Sequence, residues 1–94
     1  MAQHYIVVLK PLRGGGWTAH FPDFEGCRAD GTRIEMAINR AKVEISSVLS
    51  SLKASGSPAP EPLSFEVLRH DTPWAAERGI DWAAAVICLV EADL

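Results

Sequence analysis

Between residues 34 and 52, apolar side chains recur at Ile34, Ala37, Ile38, Ala41, Ile45, Val48, Leu49 and Leu52. Steps of three and four place all eight on one stripe of an α-helix, and Asn39, Arg40, Lys42, Ser46, Ser47 and Lys53 fall mainly on the rest of its surface. A helix with one apolar stripe has to bury it against a second layer, so the stripe dictates a layered fold. Thr32, followed three residues later by Glu35, has the pattern of a capping box. Ser55-Gly56 marks a stop, which predicts a helix to about Ala54.

The layer for that helix to pack on is written before it. Residues 4–10 (HYIVVLK) are rich in β-branched and aromatic side chains and read as a strand. Tyr5, Val7 and Leu9 point one way, Ile6 and Val8 the other. Both faces are apolar, so this strand should be covered on both sides. Residues 11–16 (PLRGGG) read as a hairpin loop. Residues 17–21 (WTAHF) alternate, with Trp17, Ala19 and Phe21 on one face and Thr18 and His20 on the other. Pro22-Asp23 is turn-prone, and residues 26–30 (GCRAD) read as a short third strand ended by Gly31. After the helix, residues 57–62 (SPAPEP) hold three prolines and form a stiff extended connector. Residues 63–70 read as a further strand. Asp71-Thr72-Pro73 opens a short helix, with Pro73 at its first position and Gly79 ending it. Residues 82–91 (WAAAVICLVE) form a final strand, apolar on both faces. The expected architecture is α+β: a three-stranded antiparallel meander, one long amphipathic helix, then one or two further strands. The last of these joins the sheet beside the first.

Ninety-four residues with 48% apolar and 22% charged side chains suit one globular domain with a thin core. Some apolar surface should therefore be completed by self-association or a partner. The net charge of −3 argues against a broad nucleic-acid-binding face. Residues 1–60 carry seven Lys/Arg against five Asp/Glu, whereas residues 61–94 carry two against seven. That acidic third suits a basic partner as readily as it suits plain solvation. Cys27 and Cys88 lack any metal-ligand spacing and read as reduced, buried thiols, which with no visible signal peptide or membrane-length apolar run points to the cytoplasm.

The segment FPDFEGCRADGTRIEMAINRAKVEI (residues 21–45) has a physical logic of its own. Pro22 and Asp23 turn the chain, Gly26 permits a backbone conformation closed to other residues, and Cys27 is a small group placed under the helix. Among candidate acids and bases, Asp23, Glu25, Asp30 and Glu35 lie in the turn, the third strand and the helix start, and His20 stands beside no Ser or Cys nucleophile. The glycine-rich residues 13–16 lack the setting of a phosphate loop. Trp74 and Trp82 bracket the short helix and suit either an interface anchor or a cap on a small core.

The same segment resembles the signature of HicB-type antitoxins, with Phe21, Pro22, Asp23, Gly26, Cys27 and Gly31 as its structural residues. The strand and Gly-Gly-Trp before it, the connector GSPAPEP (residues 56–62) and the closing AVICLVEADL (residues 85–94) fit the same pattern, which covers almost the whole chain as a single domain. Residues 63–83 read as an insertion before the last strand. Glu25 and Arg33 depart from the usual pattern. The resemblance implies a partly ribonuclease H-like sheet and a β-β-β-α-β order. It implies a protein that is not an enzyme, needs no cofactor or metal, and neutralises a small basic HicA-type ribonuclease toxin by covering its active site. Partner contacts are then expected at Asp23, Glu25, Asp30, Trp74 and Glu77 and along the acidic segment from Glu61, and homodimers or larger homo-oligomers are expected too. The alternatives are an orphan homo-oligomeric module and, more remotely, a metal-dependent nuclease using the turn carboxylates. Many HicB antitoxins continue into a DNA-binding module; this chain ends at Leu94 with Arg78 its one Lys or Arg beyond position 70, which argues against direct operator binding.

Overall fold

A computed structural model describes residues 2–93. In chain order the elements are β1 (Ala2–Pro11), β2 (Trp17–His20), β3 (Arg28–Gly31), α1 (Ile34–Ala54), α2 (Phe65–Leu68), α3 (Thr72–Glu77) and β4 (Val86–Asp93). The four strands form one sheet in the order β3-β2-β1-β4, with every neighbouring pair antiparallel. This is the expected α+β arrangement, and the last strand lies beside the first. No helix among the described residues is long and apolar enough to cross a membrane.

The strand pleat divides the sheet into two faces. On the first, Tyr5, Val7, Leu9, Ala19, Phe21, Ala29, Val90 and Ala92 are buried, with Phe24 of the β2–β3 turn beside them and Ala37, Ala41 and Ile45 of α1 facing them. The small residues on α1 let the helix come close. Gly31 is the tightest point: a Cβ there would stand 2.5 Å from the Ala37 amide nitrogen and 3.0 Å from the Arg33 carbonyl oxygen. Gly26 serves differently, holding φ at +84° in the β2–β3 turn.

On the second face, Ile6 and Val8 of β1 are buried under Leu68 of α2, with Leu63, Trp74, Ile80, Trp82 and Ala85 packed around them. Residues 63–85 are therefore a cover for the far side of the sheet, which is why β1 is apolar in both directions.

Four local expectations need correction. Residues 63–70 are not a strand. Ser64 accepts a side-chain hydrogen bond from the Val67 amide at 3.3 Å, and this cap turns the alternating Leu63-Phe65-Val67 pattern into the single turn of α2. Thr32 does not cap α1. The N-cap is Arg33, which makes no side-chain cap bond, while the Thr32 hydroxyl donates to Met36 Sδ at 3.8 Å. Glu35 remains in the first turn, where a negative charge suits the helix dipole. The third strand begins at Arg28 rather than Gly26, because Cys27 N–H closes the preceding turn on Phe24 O at 3.3 Å. The final strand begins at Val86 rather than Trp82, because Asp81 gathers the amides of Ala83, Ala84 and Ala85 into a turn. By contrast, α3 is opened by Asp71 as read, its side chain accepting from the Trp74 amide at 3.1 Å, although Thr72 takes the first helical position and Pro73 the second.

Candidate partner-binding surface

The cover lies over β1 and splits the second face into two unlike halves. The β2–β3 half is polar. Lys10 Nζ donates to Arg78 O at 3.1 Å, tying β1 to the end of α3. The Arg78 guanidinium sits 4.8 Å from the Trp74 ring centroid, and Trp74 stacks on Trp82 at 6.3 Å and 20°. Phe65 meets Trp82 edge-on at 5.8 Å, and His20 meets Trp74 edge-on at 6.4 Å. These rings are half-buried for the most part, so they bind the cover together and still present an aromatic rim to solvent, with the Arg78 charge paired to Glu77.

Ionisation behaviour follows from these surroundings. Burial pushes the His20 imidazole below its ordinary value, and the positive charges of Arg78, Lys10 and Arg28 push the same way, against Asp30. Its Nε2 is buried and unpartnered. Asp30 accepts a hydrogen bond from the Thr18 hydroxyl and another from Arg28 Nε at 3.4 Å. The Thr18 bond, then Arg28, hold the Asp30 carboxyl below its ordinary value. Asp23 behaves oppositely. Its Oδ1 accepts the Leu63 amide at 2.9 Å, its Oδ2 is buried without a partner, and burial raises its pKa despite the Leu63 bond. Burial, then the nearby Glu44 carboxylate, raises the Cys27 thiol, and both Cys27 and Cys88 are free. Among the described residues, no group of three or more His, Cys, Asp or Glu side chains is arranged to hold a metal ion.

Of the residues expected to meet a partner, Asp30 and Trp74 adjoin His20, and Glu77 stands one step further out, beside Arg78. Trp74 touches its ring, Asp30 lies within its electrostatic reach, and Glu77 pairs with Arg78 at 3.6 Å. Glu25 stands exposed on the β2–β3 turn. Asp23 faces inward and fastens the start of the cover to the turn. Phe21 is buried, and Gly26 and Gly31 have the backbone roles already described, so the sequence signature shapes the fold around the helix.

The β4 half is apolar, and sequence reasoning missed it. Ile87 and Leu89 are 38% and 62% exposed, and Phe65 and Val67 of α2 are 39% and 58% exposed. A strand apolar on both faces reads as a fully covered strand. Only the length of the cover, which stops over β1, reveals that its outer row is bare.

No protein-family model and no curated protein matches the chain. Solved structures do. The Burkholderia pseudomallei antitoxin HicB superposes with a TM-score of 0.78 at 22% identity over 98% of this chain. This chain spans 64% of that antitoxin's length, and all of its separately solved N-terminal domain at a TM-score of 0.79. A chain of a toxin–antitoxin complex from Streptococcus pneumoniae matches at 0.77 and 20% identity, over 99% of this chain and 70% of that one. A chain of the HicA3–HicB3 toxin–antitoxin complex matches at 0.66 and 23% identity, over 98% and 100%. Identities this low speak for architecture, and the architecture of residues 2–93 is the HicB antitoxin fold.

Proposed function

We propose that this chain is an antitoxin-like binding module that captures a small basic HicA-type ribonuclease toxin and covers its active site. The observation that carries the reading is the superposition of nearly the whole chain on the antitoxin HicB, alongside similar chains from two toxin–antitoxin complexes. The charge distribution supports it. Residues 61–94 hold seven acids, and their two bases are engaged internally, Arg69 with Glu66 at 3.6 Å and Arg78 with Glu77 and Trp74. Glu25, Asp30, Trp74 and Glu77 then supply acidic and aromatic contacts to a cationic toxin surface.

The test is co-expression with a small HicA-type ribonuclease from the same genome. The reading predicts rescue of toxin-arrested growth and co-purification of the pair. It also predicts that the triple reversal Glu25→Lys, Asp30→Lys, Glu77→Lys weakens the complex more at low salt than at high. Unrelieved growth arrest, with this chain folded and abundant, would contradict it. A second reading, an orphan module that works as a homo-oligomer, is favoured by one observation: β4 is an edge strand with Ile87 and Leu89 exposed. A uniform assembly of this chain that ignores the toxin would support that alternative.

A further inference from the structure

We propose that the bare apolar half of the second sheet face, floored by Ile87 and Leu89, is the docking surface for a basic protein partner. The inference rests on the antitoxin reading and adds a second area of contact, on the β4 side of the cover, to the acids and tryptophan on the β2–β3 side.

The cover leaves this surface open for a geometric reason. Leu68 sits on Ile6 and Val8, and the β4 residues directly across from those two are Leu89 and Ile87. The buried row on β1 thus continues sideways onto β4, where Ile87 is 38% and Leu89 62% exposed. Val86, opposite Leu9, belongs to the α1 face, but Ile87 and Leu89 form one row on the second face, and Phe65 and Val67 of the cover are exposed too. A row of adjacent exposed apolar side chains marks an interaction surface rather than scattered exposure. The outer edge of β4 is also unpaired, and of its residues 86–92 only Glu91 is charged, with no proline or lysine to blunt the edge. A partner can therefore add backbone hydrogen bonds along the edge and bury side chains on the floor.

Charge decides which partner. Glu91 closes one end of the floor, 3.6 Å from His4. Residues 61–92 carry six acids against two arginines, and with Glu66 and Glu77 paired to Arg69 and Arg78, Glu61, Asp71, Asp81 and Glu91 still leave this part of the chain acidic. A second copy of this chain would bring the same acids to the contact. A small protein with an apolar strip flanked by Lys or Arg meets both the floor and its border.

The experiment uses a small HicA-type ribonuclease from the same genome, in a form with its ribonuclease activity abolished, as the probe in calorimetric titrations. The variants are Ile87→Lys/Leu89→Lys, the milder Ile87→Thr/Leu89→Thr, and Val43→Lys as a control at a 70% exposed site on α1. Circular dichroism and thermal melting confirm that each folds, and the threonine pair serves if the lysine pair does not. Wild type and Val43→Lys should bind alike, the threonine pair about 10-fold more weakly and the lysine pair about 100-fold more weakly. Equal binding by wild type and folded floor variants overturns the docking surface and leaves the antitoxin reading standing. No binding by wild type removes both. Light scattering separates the remaining case: floor variants that keep toxin binding but lose a wild-type oligomer would assign the surface to a second copy and overturn the proposal.

Discussion

Leu68→Ala tests whether residues 63–85 are an integral second layer or a loosely laid flap. Leu68 is fully buried, and it is the one side chain of α2 that reaches Ile6 and Val8. Truncating a buried leucine costs about 2–5 kcal/mol, depending on how far the site collapses. Leu63, Trp74, Ile80, Trp82 and Ala85 around it are only partly buried and can close in, so the lower half of that range applies, about 2–3.5 kcal/mol. For a domain this small, that lowers the melting temperature by roughly 10–20 °C. The assay is urea unfolding followed by tryptophan fluorescence and by far-ultraviolet circular dichroism. With Trp17 of β2 replaced by Phe in all variants, Trp74 and Trp82 report on the cover, and circular dichroism reports on the sheet and α1. Val67→Ala, one residue away and 58% exposed, is the internal control and should cost within about 0.5 kcal/mol. A Leu68→Ala loss below about 1 kcal/mol, or one equal to that of Val67→Ala, would refute the argument that the cover is packed on β1.

Three further outcomes follow from the same geometry. The native state resists protonating His20, whereas the unfolded chain takes up that proton at the ordinary value of about 6.5. Stability should therefore fall as pH drops through that value, and His20→Gln should flatten the slope in chemical denaturation at stepped pH; an unchanged slope would count against a buried, neutral imidazole. Asp23 has the opposite sign. Its raised native pKa favours folding on the acid side, and that contribution is lost as pH rises from the ordinary aspartate value through the raised one. Asp23→Asn keeps an acceptor for the Leu63 amide and should melt at or above the wild-type temperature at neutral pH, whereas a marked drop would show that the charge itself is needed. Gly31→Ala drives a methyl group into the α1 backbone and should cost about 1–3 kcal/mol in thermal unfolding; a loss under about 0.5 kcal/mol would mean that β3 and α1 are not in close contact.

The legible parts of the fold were those specified by long periodic patterns. The stripe from Ile34 to Leu52 gave α1 and its end at Ala54. The two-faced run Tyr5–Leu9 required a central strand, and the apolar run before Glu91 supplied its neighbour. What stayed hidden was settled by single polar side chains. Ser64 converts a strand-like alternation into a helical turn and Asp81 delays β4 by four residues, whereas α1 starts after Arg33 with no side-chain cap at all. A capping oxygen acts over three residues, so periodicity read over a longer window averages it away.

The surface was legible in part and for similar reasons. Trp74, Glu77 and Asp30 share a neighbourhood because α3 lies across the β2–β3 half, a consequence of where the cover runs that no local spacing encodes. Asp23 looks from sequence like a turn acid facing solvent, yet its carboxylate turns inward to hold Leu63, forty residues on. Ile87 and Leu89 look like core, yet they are 38% and 62% exposed beside a cover whose Leu68 packs on Ile6 and Val8 of β1. Both reversals come from long-range contacts of residues 63–85, the segment with the weakest periodicity in the chain.

The most direct test of the antitoxin reading is a titration of the ribonuclease activity of a HicA-type protein from the same genome with this chain, both purified, near physiological salt. The account predicts that cleavage of a single-stranded RNA falls linearly to background at a fixed stoichiometric ratio. It also predicts that the Glu25→Lys, Asp30→Lys, Glu77→Lys variant needs a higher concentration for the same effect. Undiminished cleavage at a large excess of folded wild-type chain would contradict the account.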